Sequence, residues 1–192
     1  LLAHQPVGPN LVRFMQLQER FPEIAFSATV DSAEVVVAFE KTNKPASLFV
    51  DIDCGMHRTG IVPGKEALAL CRQIADTDHL EFAGLHAYDG HNRAEDVDER
   101  DRACEEILSV VRGLRDTLEG EGVAASLIVI GGTPPFPYYA RQGDVDASPG
   151  TFVLYDWAYG GGLPDLGFTP AAILFSRVIS RPAPHLACID LG

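Results

Sequence analysis

The stretch Leu127-Ile-Val-Ile-Gly-Gly-Thr-Pro-Pro-Phe136 decides how this chain is interpreted. Its four leading apolar residues, three of them β-branched, are typical of a fully buried strand. The two prolines cannot continue a hydrogen-bonded ladder, so the strand has to end at the glycines. Gly131, Gly132 and the Thr133 hydroxyl would then form a nest of donors for a phosphate or a carboxylate. A plain turn without a ligand explains an isolated Gly-Gly-Thr as well. The residues at the ends of the other strands are therefore needed to distinguish a ligand site from a plain turn.

The bulk composition is that of a globular protein. The chain has 192 residues, of which 46% are hydrophobic and 22% charged, enough for one sizeable core. No apolar run reaches the ~20 residues of a membrane span, so we expect no membrane partner. A net charge of −12 argues against nucleic acid but leaves room for one small anionic ligand.

The termini and cysteines indicate a cytoplasmic setting. Leu1-Leu2-Ala3-His4 has no basic export segment, and because it does not begin with Met we expect a processed or truncated product. The four cysteines are widely spaced without a CxxC pair, which predicts neither a disulfide framework nor a zinc site.

Strand and helix patterns alternate along most of the chain. Strands are predicted at 24–30, 46–52, 80–86 and 127–130, and helices around 11–17, at 33–41, at 65–75 and at 95–120. This order predicts an α/β fold, either an open doubly wound sheet or a (β/α) barrel, with the ligand at the carboxyl ends of the strands. The first strand is not followed by GxGxxG, which disfavours a dinucleotide site.

The pattern loosens after Pro134. A short strand is expected within 138–148, Gly160-Gly161-Gly162 is predicted to be a flexible hinge, and 172–180 and 186–191 are predicted to be two antiparallel strands.

Two of the strand ends carry reactive side chains. After the second strand, Arg58 sits in a turn flanked by Gly55 and Gly60 and is expected to reach over the mouth of the sheet; a surface pairing with Asp51 or Asp53 competes with that interpretation. After the third strand, an imidazole, a phenol and a carboxylate lie close together in the order His86, Tyr88, Asp89 and His91. Such groups can perform general acid–base chemistry near neutral pH, although a single buried His or Tyr is more often a core residue.

A second Gly-Thr pair opens the last apolar segment of the barrel region. Gly150 and Thr151 are expected to complete a phosphate cradle with the Gly131–Thr133 turn, as phosphate sites do in barrel enzymes. Tyr155 is expected to line the pocket.

Taken in order, VDIDCGMHRTG, GLHAYDGH, IGGTPPF, SPGTFVLYD, FSRVISRP and ACIDLG resemble the D-threonine aldolase group. That group belongs with the D-serine dehydratases and the alanine racemase-type (fold type III) pyridoxal phosphate enzymes. The resemblance implies a (β/α)8 TIM-type barrel, present here as strands two to eight over residues 1–170, and the beginning of a C-terminal β domain over residues 171–192. It also implies a pyridoxal phosphate-dependent lyase that cleaves D-3-hydroxy amino acids to glycine and an aldehyde. Because a barrel that lacks one strand exposes two open edges, we expect the chain to be poorly stable alone or to form a homodimer that covers the gap.

The resemblance also implies roles for individual residues. Arg58 and Tyr88 would lie beside the cofactor ring, and the candidate acid–base groups are His86, Asp89 and His91. The phosphate would be held by Gly131, Gly132, Thr133, Gly150 and Thr151.

The chain departs from the family pattern at three places. The family attaches its cofactor to a lysine on the first barrel strand, whereas Lys41, Lys44 and Lys65 match no such position. The family's divalent metal is bound in the later β domain, so no metal ligand is expected within this chain. Asp89 stands where some members have a His. We therefore expect the chain alone to be inactive or nearly so.

Three other functions stay open. A D-serine dehydratase or an amino-acid racemase would use the same barrel, and a non-catalytic barrel that binds pyridoxal phosphate or another small phosphate would need no lysine. An unrelated hydrolase or nucleotide binder is the weakest alternative, because neither GxSxG nor a P-loop is present.

Overall fold

The computed structural model describes residues 1–125 and 127–191. The chain divides into two compact units, the first being Leu1–Gly150 and the second beginning at Thr151. Gly192, the last residue of the expected β domain, lies outside the described residues.

The first unit is a parallel sheet with helices between its strands. Its strands are β1 (Ser27–Val30), β2 (Ala46–Ile52), β3 (Leu80–Ala87), β4 (Leu127–Ile130) and β5 (Asp146–Ala147), and they pair in that order. Its helices are α1 (Pro9–Arg20), α2 (Ala33–Glu40), α3 (Lys65–Ala75), α4 (Val97–Gly120) and the single turn α5 (Phe136–Tyr139).

The helices pack their apolar stripes on the sheet, as βα units require. In α3 the buried stripe includes Leu70, Cys71 and Ile74, and in α4 it includes Leu108 and Val111. The Asp96 side chain accepts a hydrogen bond from the Glu99 N–H at 2.8 Å and so fixes the start of α4. One core extends from Phe14 to Tyr139 through both layers.

The sheet does not close, which confirms an incomplete α/β barrel. Beyond β1, Leu2 forms an isolated parallel bridge with Ala28, and its backbone exchanges hydrogen bonds with Ser27 and Thr29. Seven strands were expected; within the part of the chain that the structure describes, this unit has five strands and the Leu2 bridge.

The second unit contains α6 (Trp157–Gly162), two 3-10 turns at Thr151–Val153 and Pro164–Leu166, and the antiparallel pair β6 (Val178–Ala183) and β7 (Leu186–Ile189). The antiparallel pair was predicted, but its first strand was placed too early, since residues 168–177 form no strand. Pro182 lies inside β6, which a two-stranded ribbon tolerates because each strand has a free edge. The predicted hinge at Gly160–Gly162 is wrong, because these glycines continue α6.

The remaining boundary errors are small. The strand expected at 24–30 begins only at Ser27, and the first helix starts at Pro9, where proline suits a helix N-terminus. In the described ranges, no helix has both the length and the apolar character that a membrane span needs.

Candidate active site

The carboxyl ends of β2 and β3 bring a carboxylate and an imidazole together. Asp51 and His86 are register partners in the parallel ladder, and His86 Nδ1 lies 2.6 Å from Asp51 Oδ1. Both residues are buried, at 3% and 5% exposure. The bond to an ionised carboxylate favours the proton on Nδ1, which leaves Nε2 as the nitrogen that can accept one.

The loop between β2 and α3 is fixed by two aspartates. Asp53 Oδ1 accepts hydrogen bonds from the Gly55 and His57 backbone N–H groups, both at 3.0 Å. Partial burial raises the pKa of Asp53, but these hydrogen bonds and the His57 ring outweigh that effect and hold the pKa below its usual value. Asp31 Oδ2 accepts from the Gly60 N–H at 2.9 Å, so the loop that carries Arg58 is fastened at both ends.

Arg58 lies over an aromatic ring. Its guanidinium carbon is 4.2 Å from the centre of the Tyr88 ring, a cation–π contact, while the residue stays exposed. Among the described residues no ion pair joins Arg58 to Asp51 or Asp53, so the competing surface pairing is absent. A Cβ on Gly90 would come within 2.4 Å of the Tyr88 ring, so this position has to be a glycine for the ring to lie where it does, and a Cβ on Gly132 would make a tight contact at 3.1 Å.

The Gly131–Thr133 turn is buried and tightly packed. The Gly131 N–H donates to the Ala87 carbonyl at 2.9 Å, and the Gly132 N–H donates to Asp89 Oδ1 at 3.0 Å. Both amides are therefore engaged within the protein rather than directed at an anion. Gly131 has φ +90°, and a Cβ there would lie 2.5 Å from the Tyr139 ring. The glycines let this turn approach its neighbours closely, and Thr133 is buried beside them at 3% exposure.

Asp89 lies beneath this turn with no exposed surface. Besides the Gly132 N–H, it accepts a hydrogen bond from the Tyr139 hydroxyl at 2.7 Å. Burial raises the pKa of Asp89, and the two hydrogen bonds only partly offset that effect. Burial and the adjacent Asp89 carboxylate also raise the pKa of Tyr139.

The acid–base residues expected between 86 and 91 are therefore split among three environments. His86 is buried against Asp51, Asp89 is enclosed below the Gly131–Thr133 turn, and His91 is exposed beside Gly55. Sequence reasoning did not identify Tyr139 as the partner of Asp89. Its only signal was a tyrosine shortly after the prolines, which does not distinguish a buried hydroxyl from an exposed one.

The cysteines near the site are unreactive. Burial, reinforced by the charge of Asp89, raises the pKa of Cys54 and of Cys104 to about 12. Cys104 Sγ accepts a hydrogen bond from Asn92 Nδ2 at 3.2 Å, and the same amide donates to the Arg100 carbonyl at 3.0 Å. These groups anchor the loop after β3 to α4.

The loop after β5 lies next to the Gly131 turn. Ser148 donates from its backbone N–H to the Ile130 carbonyl at 3.0 Å and from its hydroxyl to the Gly131 carbonyl at 2.9 Å. Gly150 is exposed at the end of the first unit. In the second unit, the Thr151 and Tyr159 hydroxyls lie 2.6 Å apart, and Tyr155 is buried with Leu163 and Leu166. The roles of Gly150, Thr151 and Tyr155 stay predictions.

Two clefts of different character accompany these residues. A small one, too narrow to admit a water molecule, lies between Asp51, Arg58 and Tyr88 at the strand ends. A larger one of about 570 Å³ lies at the open sheet edge, lined by Leu1, Leu2 and Phe26 among others. In residues 1–125 and 127–191, no group of three or more His, Cys, Asp or Glu side chains is placed to hold a metal ion.

The fold and the site together define a class of protein: an open parallel α/β barrel with polar side chains at the carboxyl ends of its strands. The chain belongs to the alanine racemase N-terminal domain family, which matches residues 11–152.

Three similar proteins are informative. The D-threonine aldolase of Arthrobacter sp is 28% identical over 201 residues, covering 100% of this chain and 52% of the relative. The 3-hydroxy-D-aspartate aldolase of Paracoccus denitrificans (strain Pd 1222) is 27% identical, covering 90% of this chain and 49% of the relative. The crystal structure of D-threonine aldolase from Filomicrobium marinum has a TM-score of 0.86 and 26% identity, covering 98% of this chain and 52% of that one. The chain thus spans about half the length of these relatives.

Proposed function

We propose that this chain is the barrel part of a pyridoxal phosphate-dependent lyase that cleaves D-3-hydroxy amino acids to glycine and an aldehyde. The observation that carries the proposal is the Arg58–Tyr88 stack at 4.2 Å beside the buried Asp51–His86 pair, at the edge of the sheet where such barrels bind ligands. The aldolase names of the two curated relatives support the reaction class.

The residues at this edge suit a planar, anionic cofactor held without a covalent bond. Arg58 supplies an exposed fixed charge, Tyr88 supplies an aromatic surface, and Gly132 keeps the backbone close to that surface. Thr133, Gly150 and Thr151 are proposed to contact the phosphate. When bound, pyridoxal phosphate serves as an electron sink for bond cleavage next to the amino carbon.

The protein's own contribution is orientation and proton handling. Asp51 holds the His86 ring by its Nδ1, so that Nε2 is the atom able to take up or release a proton. His91 is exposed next to Gly55, where it is accessible to water and substrate. Cys54 and Cys104, with pKa values raised to about 12, stay protonated and take no part.

None of the three lysines lies on a strand of the sheet. Lys41 and Lys44 follow α2 and precede β2, so they lie at the amino ends of the strands, and Lys44 pairs with Glu19. Lys65 is exposed at the start of α3. We therefore propose that this chain binds the cofactor reversibly and turns over slowly or not at all.

The test is to mix the chain with pyridoxal phosphate, add borohydride, and measure the intact mass, then to assay glycine and acetaldehyde from D-threonine. Saturable binding without a reduced adduct supports the proposal. A stoichiometric adduct on Lys41, Lys44 or Lys65 contradicts the reversible mode. Failure to bind at all contradicts the cofactor assignment.

The positions of the lysines favour one second candidate, a non-catalytic barrel that binds pyridoxal phosphate. Binding with no product from D-threonine, D-serine or alanine would identify it. Pyruvate from D-serine would instead indicate a dehydratase, and an L-isomer would indicate a racemase.

The remaining features of the proposal concern the whole protein. We propose a divalent metal outside the described residues, a homodimer that covers the open sheet edge beside Leu2, and a cytoplasmic location consistent with four free cysteines. Light scattering at micromolar concentration measures the dimer directly.

A further inference from the structure

Asp89 joins three segments that are distant in sequence. It follows the end of β3, its Oδ1 accepts the Gly132 N–H at 3.0 Å, and its Oδ2 accepts the Tyr139 hydroxyl from α5 at 2.7 Å. The ring of Tyr139 in turn packs against Gly131, where a Cβ would lie only 2.5 Å away. Gly132 is thus bound directly by the Asp89 carboxyl group, and Gly131 packs against the tyrosine ring that the same carboxyl group binds.

We propose that Asp89 is a positioning residue that sets the conformation of the Gly131–Gly132–Thr133 turn, and that it is not a general base. This inference rests on the proposed function only in naming pyridoxal phosphate as the ligand that binds at the turn. With no exposed surface and both oxygens occupied, the Asp89 carboxyl cannot reach a substrate proton.

The charge of Asp89 adds a pH dependence to this role. The titratable groups that face it are Tyr139, His91, Cys54 and Cys104, and burial raises its pKa above the ordinary value. When Asp89 takes up a proton, the Gly132 N–H faces a weaker acceptor and an anion at the turn meets less repulsion. We therefore expect anion binding at this turn to strengthen as the pH falls through the pKa of Asp89.

Two variants separate positioning from charge. Asp89→Asn keeps an acceptor for Gly132 and a donor for the Tyr139 oxygen but has no charge to titrate. Asp89→Ala removes both bonds and leaves the Gly132 N–H without its acceptor.

The first readout is the Gly132 amide in the intact 192-residue chain. We expect its proton shift to titrate in the wild type with a midpoint above 3.8, and to be independent of pH in Asp89→Asn. In Asp89→Ala we expect hydrogen exchange at Gly132 to be about tenfold to a hundredfold faster. A Gly132 shift that does not titrate in the wild type would overturn the inference.

The second readout compares pyridoxal phosphate with pyridoxal, which lacks the phosphate. We expect Asp89→Asn to keep or increase the preference for pyridoxal phosphate, because it removes a nearby negative charge, and Asp89→Ala to lose the preference by about tenfold. If Asp89→Ala keeps the full preference, the positioning role is wrong. If no variant binds either compound, the proposed function fails, while the Gly132 titration still decides the role of Asp89. If Asp89→Ala does not fold, the titration and the Asp89→Asn comparison decide it.

Discussion

At the scale of single residues, the candidate site depends on contacts between side chains that the sequence separates. Arg58 and Tyr88 come from the ends of β2 and β3, and they meet because parallel strands end at the same edge of the sheet. That meeting could be predicted from the strand pattern. The burial of Asp89 could not, because a polar residue after a strand gives no sign of whether it faces the ligand or the core.

Replacing Arg58 with Gln should weaken pyridoxal phosphate binding. The change removes the positive charge that would pair with the anionic ligand, and losing one charge-assisted hydrogen bond at an exposed position costs about 1.4 kcal/mol, so we expect the dissociation constant to rise by about tenfold. Fluorescence titration measures it. Arg13→Gln, on exposed α1, is the matched control and should leave the affinity unchanged. Equal losses in the two variants would contradict the role of Arg58.

Replacing Tyr139 with Phe should destabilise the fold. The buried hydroxyl donates to the Asp89 carboxylate at 2.7 Å, and losing a hydrogen bond to a charged group costs about 1.5–3 kcal/mol in the free energy of unfolding. Urea denaturation followed by circular dichroism measures this. The neighbouring Tyr138→Phe changes a hydroxyl that is only partly buried and should cost much less. A Tyr139→Phe protein as stable as the wild type would show that the bond is not formed in solution.

At the scale of secondary-structure elements, the sequence predicted the strands and helices whose pattern can be recognised from neighbouring residues alone. The bounds of β2, α3 and β4 were predicted correctly, because buried apolar runs and capped amphipathic helices are visible locally. The second unit was predicted less well. Gly160–Gly162 continue α6 because the Asp156 side chain caps the helix at the Ala158 and Tyr159 N–H groups, an effect that outweighs the poor helix propensity of glycine.

The two glycines Gly84 and Gly113 should respond oppositely to replacement by Ala. Gly84 has φ +146° in β3, and a Cβ there would lie 2.0 Å from the Leu127 carbonyl oxygen, so Gly84→Ala should disrupt the β3–β4 pairing and prevent folding. Gly113 lies in α4 with nothing within 4 Å of a built Cβ, and Gly113→Ala should stabilise the protein by about 0.5–1 kcal/mol. Thermal melting of both proteins checks this pair, and a Gly84→Ala protein that melts like the wild type would refute the strand register.

The attachment of α4 to the segment before β5 should depend on pH. Arg112 and Arg115 both pair with Asp144, and they lower its pKa to about 2. Because the folded pKa lies below the unfolded one, this contribution to stability is present above pH ~4 and disappears as the pH falls through 2. We expect Asp144→Asn to cost up to about 1 kcal/mol at pH 7, since the pair is partly exposed to solvent, and nothing below pH 2.

Urea unfolding across that pH range measures the Asp144 effect. Asp116→Asn is the control, because Asp116 is exposed and, in residues 1–125 and 127–191, pairs only with the adjacent Arg115. A stability difference between the wild type and Asp144→Asn that stays constant with pH would contradict the ion-pair explanation.

At the scale of the whole molecule, the larger of the two units is an α/β barrel that stays open. The order of strands and helices predicted an α/β fold, either doubly wound or a barrel, and the family resemblance implied the barrel; the alanine racemase N-terminal domain match over residues 11–152 agrees with it. The assembly of the site was less predictable. Gly131 and Gly132 were expected to donate to a phosphate, yet their amides donate to Ala87 and Asp89, since a turn enclosed by neighbouring segments satisfies its own donors first.

The most direct test of the account is to locate the ligand by NMR. We would titrate the isotopically labelled chain with pyridoxal phosphate and record which amide signals move. We predict that the largest shifts occur at Arg58, Tyr88 and Thr133, at the carboxyl ends of the strands. Shifts concentrated instead at Leu1, Leu2 and Phe26, around the 570 Å³ cleft at the open edge, would contradict it.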